Sequence, residues 1–122
     1  MNEIVEARQL VDQAWQRLEH WDSHIAAAQA LLEHARATHP HDPQVLTCLG
    51  ALLCDRARYH EADTVLREAL AQGSPDRHTT FNLAVAVFNI GTRRQALALF
   101  GAAAKLQPST ITWAAYFDPH GT

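Results

Sequence analysis

Apolar residues recur with helical spacing along most of the chain. In RYHEADTVLREALAQGSP, residues 58–75, Ala62, Leu66 and Ala69 lie four and three residues apart, on one helical face, before a turn with glycine and proline. Similar patterns predict helices over residues 3–20, 23–37, 43–56, 59–72, 75–90 and 93–106, and a short seventh helix over 110–117. The pattern therefore predicts an all-α protein.

The same apolar pattern returns at an interval of 34 residues. The aligned sets are Ala28, Ala62 and Ala96; Leu32, Leu66 and Phe100; Ala35, Ala69 and Ala103; and Pro40, Ser74 and Pro108. Upstream, Leu49, Gly50 and Leu53 match Leu83, Ala84 and Val87. We therefore expect a single domain, 1–122, with three helix pairs at about 9–42, 43–76 and 77–108, and a cap or tail at 109–122.

The segments LTCLGALL and YHEADTVLREAL, followed by a turn, resemble the tetratricopeptide repeat, whose pattern is W-x-x-L-G-x-x-Y, A-x-x-x-F and a closing proline. The resemblance covers about residues 9–108. It implies a right-handed α-α superhelix, or solenoid, of three helix pairs. In the first pair Asp12, Gln16 and Glu19 depart from the family pattern, so the packing register of the first helix stays open.

The ends of such a solenoid must cover an apolar face. The cover predicted here is a short C-terminal capping helix that carries Ile111, Trp113, Tyr116 and Phe117. A free tail that binds a partner is the alternative.

Small residues and helix caps add local expectations. Gly50 is expected to meet Ala62, because small residues at these positions let two helices approach closely. Asp42 and Ser74 each precede a proline and are predicted helix N-caps, as is Thr92 after Gly91.

Charge and cysteine content narrow the class of protein. A net charge of −3 gives no general attraction to nucleic acid or to an acidic membrane surface. No apolar run is long enough for a membrane span, and the polar, acidic start is unlike a signal peptide. Cys48 and Cys54 lie six residues apart, without the spacing of a metal site, which favours reduced thiols in a cytoplasmic protein.

Candidate chemistry is sparse. His20 and His24 have the spacing of two ligands on one helical face, but Asp22 and Ser23 suggest a break between two helices, so no metal site is predicted. The sequence contains no nucleophile elbow, glycine-rich phosphate loop or zinc-protease motif. We therefore expect no enzyme activity, no cofactor and no metal.

The family resemblance implies that the first helix of each pair lines a concave groove that binds a partner. Carried onto this chain, the partner-binding residues are Gln13, Arg17, Thr47, Cys48, Ala51, Asp55, His78, Phe81, Asn82, Val85, Phe88 and Asn89, and the groove also includes His20, Trp21, Gln44 and Cys54. Phe81, Val85 and Phe88 form an apolar stripe that the core does not require. The alternative is that the C-terminal segment folds back over this stripe.

These observations favour a non-catalytic protein-interaction module, a chaperone or adaptor that holds a hydrophobic helix or extended segment of a partner protein. Its size and its repeat number resemble those of small cytosolic chaperones of bacterial specialised secretion. The alternative is a structural subunit that self-associates, with its groove filled by its own C-terminal segment. Neither nucleic acid nor a membrane is an expected partner.

Overall fold

The computed structural model describes residues 2–118. Its elements are α1 (Asn2–Gln16), a 3₁₀ turn (Leu18–His20), α2 (Trp21–Thr38), α3 (Pro43–Asp55), α4 (Tyr59–Ala71), α5 (Arg77–Ile90) and α6 (Arg93–Ala103). No strand occurs within this described range. The prediction of an all-α protein is confirmed; the end of the predicted C-terminal unit, 119–122, lies outside the described residues.

Neighbouring helices along the chain pack most closely. α1 packs on α2, α3 on α4 and α5 on α6, while α4 also contacts α5 and α2 contacts α3. α3 and α5 lie side by side, so that the first helices of the second and third pairs share a surface. The core between the packed helices contains large side chains that are fully buried, among them Leu32, Leu46, Leu49, Leu52, Leu66 and Leu83.

The first helix ends earlier than its predicted boundary at residue 20. Every residue from Trp15 to His20 is exposed, so no buried apolar face supports further turns of α1. The chain turns at Arg17, and α2 begins at Trp21 rather than after the predicted break at Asp22 and Ser23. As a result the rings of His20 and His24 lie edge to face, with centroids 6.2 Å apart.

Two of the three predicted N-caps are confirmed. Asp42 accepts a hydrogen bond from the Gln44 N–H at 2.8 Å, and Thr92 forms a capping box with Gln95. The prediction for Ser74 is wrong, because α5 begins at Arg77 and is capped by the Asp76 carboxylate, which accepts from the N–H of His78.

Gly50 lies against α4, as expected, but its nearest neighbour differs from the prediction. A Cβ atom added at Gly50 would come within 2.4 Å of the Leu66 side chain. Leu66 lies one turn beyond Ala62 on the same helical face, and both residues are fully buried. The larger side chain fills the space that glycine leaves.

The predicted C-terminal capping helix over 110–117 is absent. The segment has no regular secondary structure, and its burial alternates from residue 113 onwards: Trp113 and Ala115 are buried, whereas Ala114 and Tyr116 are exposed. A period of two is typical of an extended chain, whereas in a helix the residues that share a face are three or four positions apart. Side chains of α3 and α5 bind main-chain groups of the segment that a helix would use internally.

Candidate functional site

The C-terminal segment lies across a surface formed by four helices. We call residues 109–118 the tail, and the surface of α1, α3, α5 and α6 that it covers the tail site. The tail site includes many of the predicted groove residues, because the first helices of the pairs supply most of its contacts. The chain itself therefore occupies the part of the inferred groove surface formed by Asp55, His78, Phe81, Asn82 and Phe88.

The base of the tail is fixed by the start of α5. The Arg77 guanidinium donates hydrogen bonds to the carbonyls of Leu106 (2.6 Å) and Ala104 (3.2 Å), and its main-chain N–H donates to Gln107. The neighbouring Asp76 carboxylate accepts from the Ser109 N–H at 2.9 Å. These contacts direct the chain from the end of α6 onto the tail site.

Asp76 also orders the next turn of the tail. Its second carboxylate oxygen accepts a hydrogen bond from the Thr112 hydroxyl, which also lies 2.9 Å from Nδ1 of His78. Burial lowers the pKa of His78, while the Asp76 charge acts in the opposite direction. The neutral imidazole is therefore favoured beside Thr112.

Asn82 recognises the main chain at the centre of the tail. Its side chain is 0% exposed; Oδ1 accepts from the Ala115 N–H at 2.8 Å and Nδ2 donates to the Trp113 carbonyl at 3.1 Å. The amide thus offers the tail one acceptor and one donor, as the edge of a β-strand would. These two bonds do not depend on the side chains of the tail.

Asp55, at the end of α3, provides a third main-chain contact. Its carboxylate accepts a hydrogen bond from the Tyr116 N–H at 2.9 Å. Burial raises the pKa of Asp55 to about 6, although the hydrogen bond from Tyr116 acts in the opposite direction. The charge at this end of the tail site therefore changes just below neutral pH.

The inward side chains of the tail occupy distinct surroundings. Trp113 is 5% exposed, and the Arg8 guanidinium lies 5.5 Å from the centre of its ring. Ala115, also 5% exposed, lies beside Asn82.

The Phe117 ring completes an aromatic cluster with α5 and α6. Its centroid lies 4.8 Å from Phe100, 5.1 Å from Phe88 and 6.4 Å from Phe81. The tail therefore covers the apolar stripe that the sequence singled out. The C-terminal segment thus folds back over the stripe, which is the alternative to an open stripe.

The structure separates the predicted groove residues into three groups. Thr47, Cys48, Ala51, Asn82 and Val85 are buried; Asp55, His78, Phe81 and Phe88 are half-buried; Gln13, Arg17 and Asn89 are exposed. The side-chain amide of Asn89 donates a hydrogen bond to the Val85 carbonyl of its own helix at 2.8 Å. Of the other residues predicted to lie in the groove, Cys54 is buried, Trp21 is half-buried, and Gln44 and His20 are exposed.

The sequence interpretation missed Arg8, Asp76 and Arg77 as contacts of the tail. An available signal was the Ser-Pro-Asp order, in which Asp76 follows the proline as a possible cap. The segment ITWAAYF also combines β-branched and aromatic residues, which favour extended chain over helix.

The thiols are poorly suited to nucleophilic chemistry. Burial raises the pKa of Cys48, and raises that of Cys54 to about 12, so both are protonated at neutral pH. The Cys54 thiol donates to the Asn82 carbonyl at 3.6 Å. Among residues 2–118, no group of three or more His, Cys, Asp or Glu side chains is placed to hold a metal ion.

Comparison with protein-family models and with curated proteins finds no match to this chain. Within the described part of the chain, no helix has both the length and the apolarity needed to cross a membrane. Function is therefore inferred from the residues and contacts of the tail site.

Proposed function

We propose that the chain is a non-catalytic protein-interaction module of the tetratricopeptide-repeat type, which binds an extended apolar segment of a partner protein at the tail site. The observation that carries this proposal is the hydrogen bonding of Asn82 to main-chain atoms of Trp113 and Ala115. Any extended segment presents the same donor and acceptor. Apolar surface on both sides of Asn82 supplies the remaining affinity.

The main-chain contacts favour an extended ligand over a helical one. A helix uses its own N–H and C=O groups internally, so it would not supply the two main-chain partners that the tail gives the buried Asn82 amide. Asp55 adds a second acceptor beyond Asn82, suited to the next part of an extended chain. Of the two ligand types expected from the sequence, we therefore propose the extended segment.

The proposed architecture is a right-handed superhelix of three repeats. It is supported by the interval of 34 residues and by the three sequential helix pairs. Stacked pairs fix the binding surface in advance, so the loss of conformational entropy on binding falls mainly on the ligand. A chaperone or adaptor in the cytoplasm would use such a surface to shield an apolar segment of its partner.

A structural subunit that self-associates is the second candidate. The occupied tail site favours it, and Leu18 (64% exposed) and Leu97 (56% exposed) offer apolar surface elsewhere. Light scattering coupled to sizing chromatography separates the two candidates. A stable dimer across a wide range of concentration supports the subunit, whereas a monomer supports the interaction module.

The proposed function is tested with an array of ten-residue peptides of varied sequence. It is probed with the full-length wild type and with Ala115→Lys, which should release the tail because a charged side chain does not fit the buried site beside Asn82. We expect Ala115→Lys to retain apolar peptides, and Asn82→Leu in the same background to lose them. Failure of folded Ala115→Lys to retain any peptide would contradict the proposal.

A further inference from the structure

The tail itself has the form of a ligand for the tail site. We propose that it is a displaceable internal ligand, and that the partner segment it imitates carries the pattern aromatic-x-small-x-aromatic, matching Trp113, Ala115 and Phe117. This inference rests on the proposed function and adds to it the chemistry of the partner and its competition with the tail.

The pattern follows from the alternation of burial over residues 113–117 of the tail. Trp113 and Ala115 are each 5% exposed, whereas Ala114 is exposed and Tyr116 is 64% exposed. In an extended chain, alternate side chains point to the same side, so the residues at the first, third and fifth positions of the pattern face the helices. The second and fourth positions accept a wide range of side chains.

The middle position accepts only a small residue. The Ala115 N–H is held 2.8 Å from Oδ1 of Asn82, so the main chain lies directly on α5 at this point. Asn82 is itself fully buried, with Nδ2 also 3.4 Å from the Thr47 carbonyl, and has little freedom to move aside. A larger side chain would push the main chain away from Asn82.

The fifth position is selective for an aromatic ring. Phe81, Phe88 and Phe100 supply ring faces and edges around Phe117, with Phe88 and Phe117 at an interplanar angle of 82°. Such edge-to-face contacts favour an aromatic side chain over an aliphatic one of similar size.

Two features make the tail an imperfect ligand for its own site. The indole Nε1 of Trp113 is buried and has no hydrogen-bond acceptor among the described residues. The tail also helps to cover the Asp55 carboxylate, whose charged form is disfavoured by burial. Release of the tail returns both groups to water, which offsets part of the loss of its contacts. A partner segment without the indole N–H avoids the first penalty.

The test uses full-length protein and a labelled peptide of residues 109–118, STITWAAYFD, with fluorescence anisotropy as the readout. The tail is released by Ala115→Lys, and the matched control is Ala114→Lys at the exposed neighbouring alanine. We expect Ala115→Lys to bind the peptide at least about tenfold more tightly than wild type or Ala114→Lys, because only its site is open.

The peptide is then varied to test the pattern. Replacing its Phe117 by Ala, or its Ala115 by Leu, should weaken binding to Ala115→Lys by at least about tenfold, whereas Ala114→Leu in the peptide should change it by less than about threefold. Equal binding of all these peptides would overturn the proposed pattern while leaving the peptide-binding function in place. No binding of the parent peptide or of any array peptide by folded Ala115→Lys would overturn both.

Two further outcomes address displacement. If Ala115→Lys does not fold, Trp113→Ala in the full chain replaces it as the released form. Failure of both variants to fold would show that the tail is required for the fold and would overturn the proposal. A wild type that dimerises with increasing concentration, and that loses the dimer on Ala115→Lys, would show exchange of tails between two copies and would also overturn it.

Discussion

Gly50 of α3 and Leu66 of α4 are in direct contact, so that a Cβ atom at residue 50 would come within 2.4 Å of the leucine side chain. Because Leu66 is fully buried, it has little space into which it can move. We expect Gly50→Ala to lower the free energy of unfolding by roughly 1 to 3 kcal/mol through overpacking.

Gly101 of α6 provides the control. Apart from its chain neighbours and the nearby backbone of its own helix, no atom lies within 4 Å of a Cβ atom added at this position. Gly101→Ala should raise the free energy of unfolding by about 0.5 to 1 kcal/mol, because alanine favours helix more than glycine does. Urea denaturation measures the change in unfolding free energy for both variants. An unchanged stability for Gly50→Ala would contradict the packing of α3 on α4 described above.

Asn82 and Asn89 form a second matched pair on α5. Asn82→Ala leaves the Trp113 carbonyl and the Ala115 N–H without their partner, and we expect a loss of about 1 to 3 kcal/mol in unfolding free energy. Asn89 is exposed and its side-chain amide donates to the Val85 carbonyl of its own helix, so Asn89→Ala should change stability by less than about 0.5 kcal/mol. Thermal or urea unfolding gives the comparison, and equal effects would refute the special role of Asn82.

The Asp55 carboxyl gives the stability a defined pH dependence. Burial raises its pKa from 3.8 to about 6 in the folded state, so the folded chain binds a proton more tightly than the unfolded chain does. The contribution of this group to stability is therefore fully present below about pH 4, and is lost as pH rises through about 6.

Asp55→Asn keeps an oxygen acceptor for the Tyr116 N–H but removes the charge. We expect the variant to gain stability over wild type as pH rises from 4 to 7, by up to about 3 kcal/mol from the size of the shift. Urea unfolding at matched pH values tests this, and the other titratable groups are common to both proteins. A difference in stability that does not vary with pH would contradict the raised pKa of Asp55.

Phe88 and Phe117 should be energetically coupled across the tail site, since their ring centroids lie 5.1 Å apart. Phe88→Ala, Phe117→Ala and the double variant form a mutant cycle in which we expect a coupling energy of about 0.5 to 1.5 kcal/mol. As a control, the exposed Leu97 on α6 should show no coupling to Phe117. Additive effects of Phe88 and Phe117 would mean that the tail does not cover the stripe in solution.

The sequence predicts most of the helices because their apolar faces and caps are local features. Asp42 and Thr92, for example, have only to bind main-chain groups two or three residues away. The predicted end of α1 is wrong because the length of the helix depends on which of its side chains pack against a buried surface. Trp15 and Leu18 are exposed, although their spacing is typical of a helix with one apolar face.

The candidate site was predicted in part. The family resemblance placed Asp55, Phe81, Asn82 and Phe88 on one surface, and the structure brings these four residues together under the tail. The prediction of a helix over residues 110–117 is wrong because it rests on local spacing. The conformation of the tail depends instead on partners that are distant in the chain. Asn82 lies more than thirty positions away in the chain, and no local pattern shows that its amide binds the tail main chain.

Amide hydrogen exchange, followed residue by residue on the wild-type chain, tests most directly the claim that an extended segment occupies the tail site. The critical amides are those of Ala115 and Tyr116, which donate to Asn82 and Asp55. We predict that both exchange at least about tenfold more slowly than in the free peptide STITWAAYFD, yet at least about tenfold faster than the buried amides of α5, through local opening of the tail. Exchange at the rate of the free peptide would contradict the occupied site, and exchange as slow as that of α5 would contradict a displaceable tail.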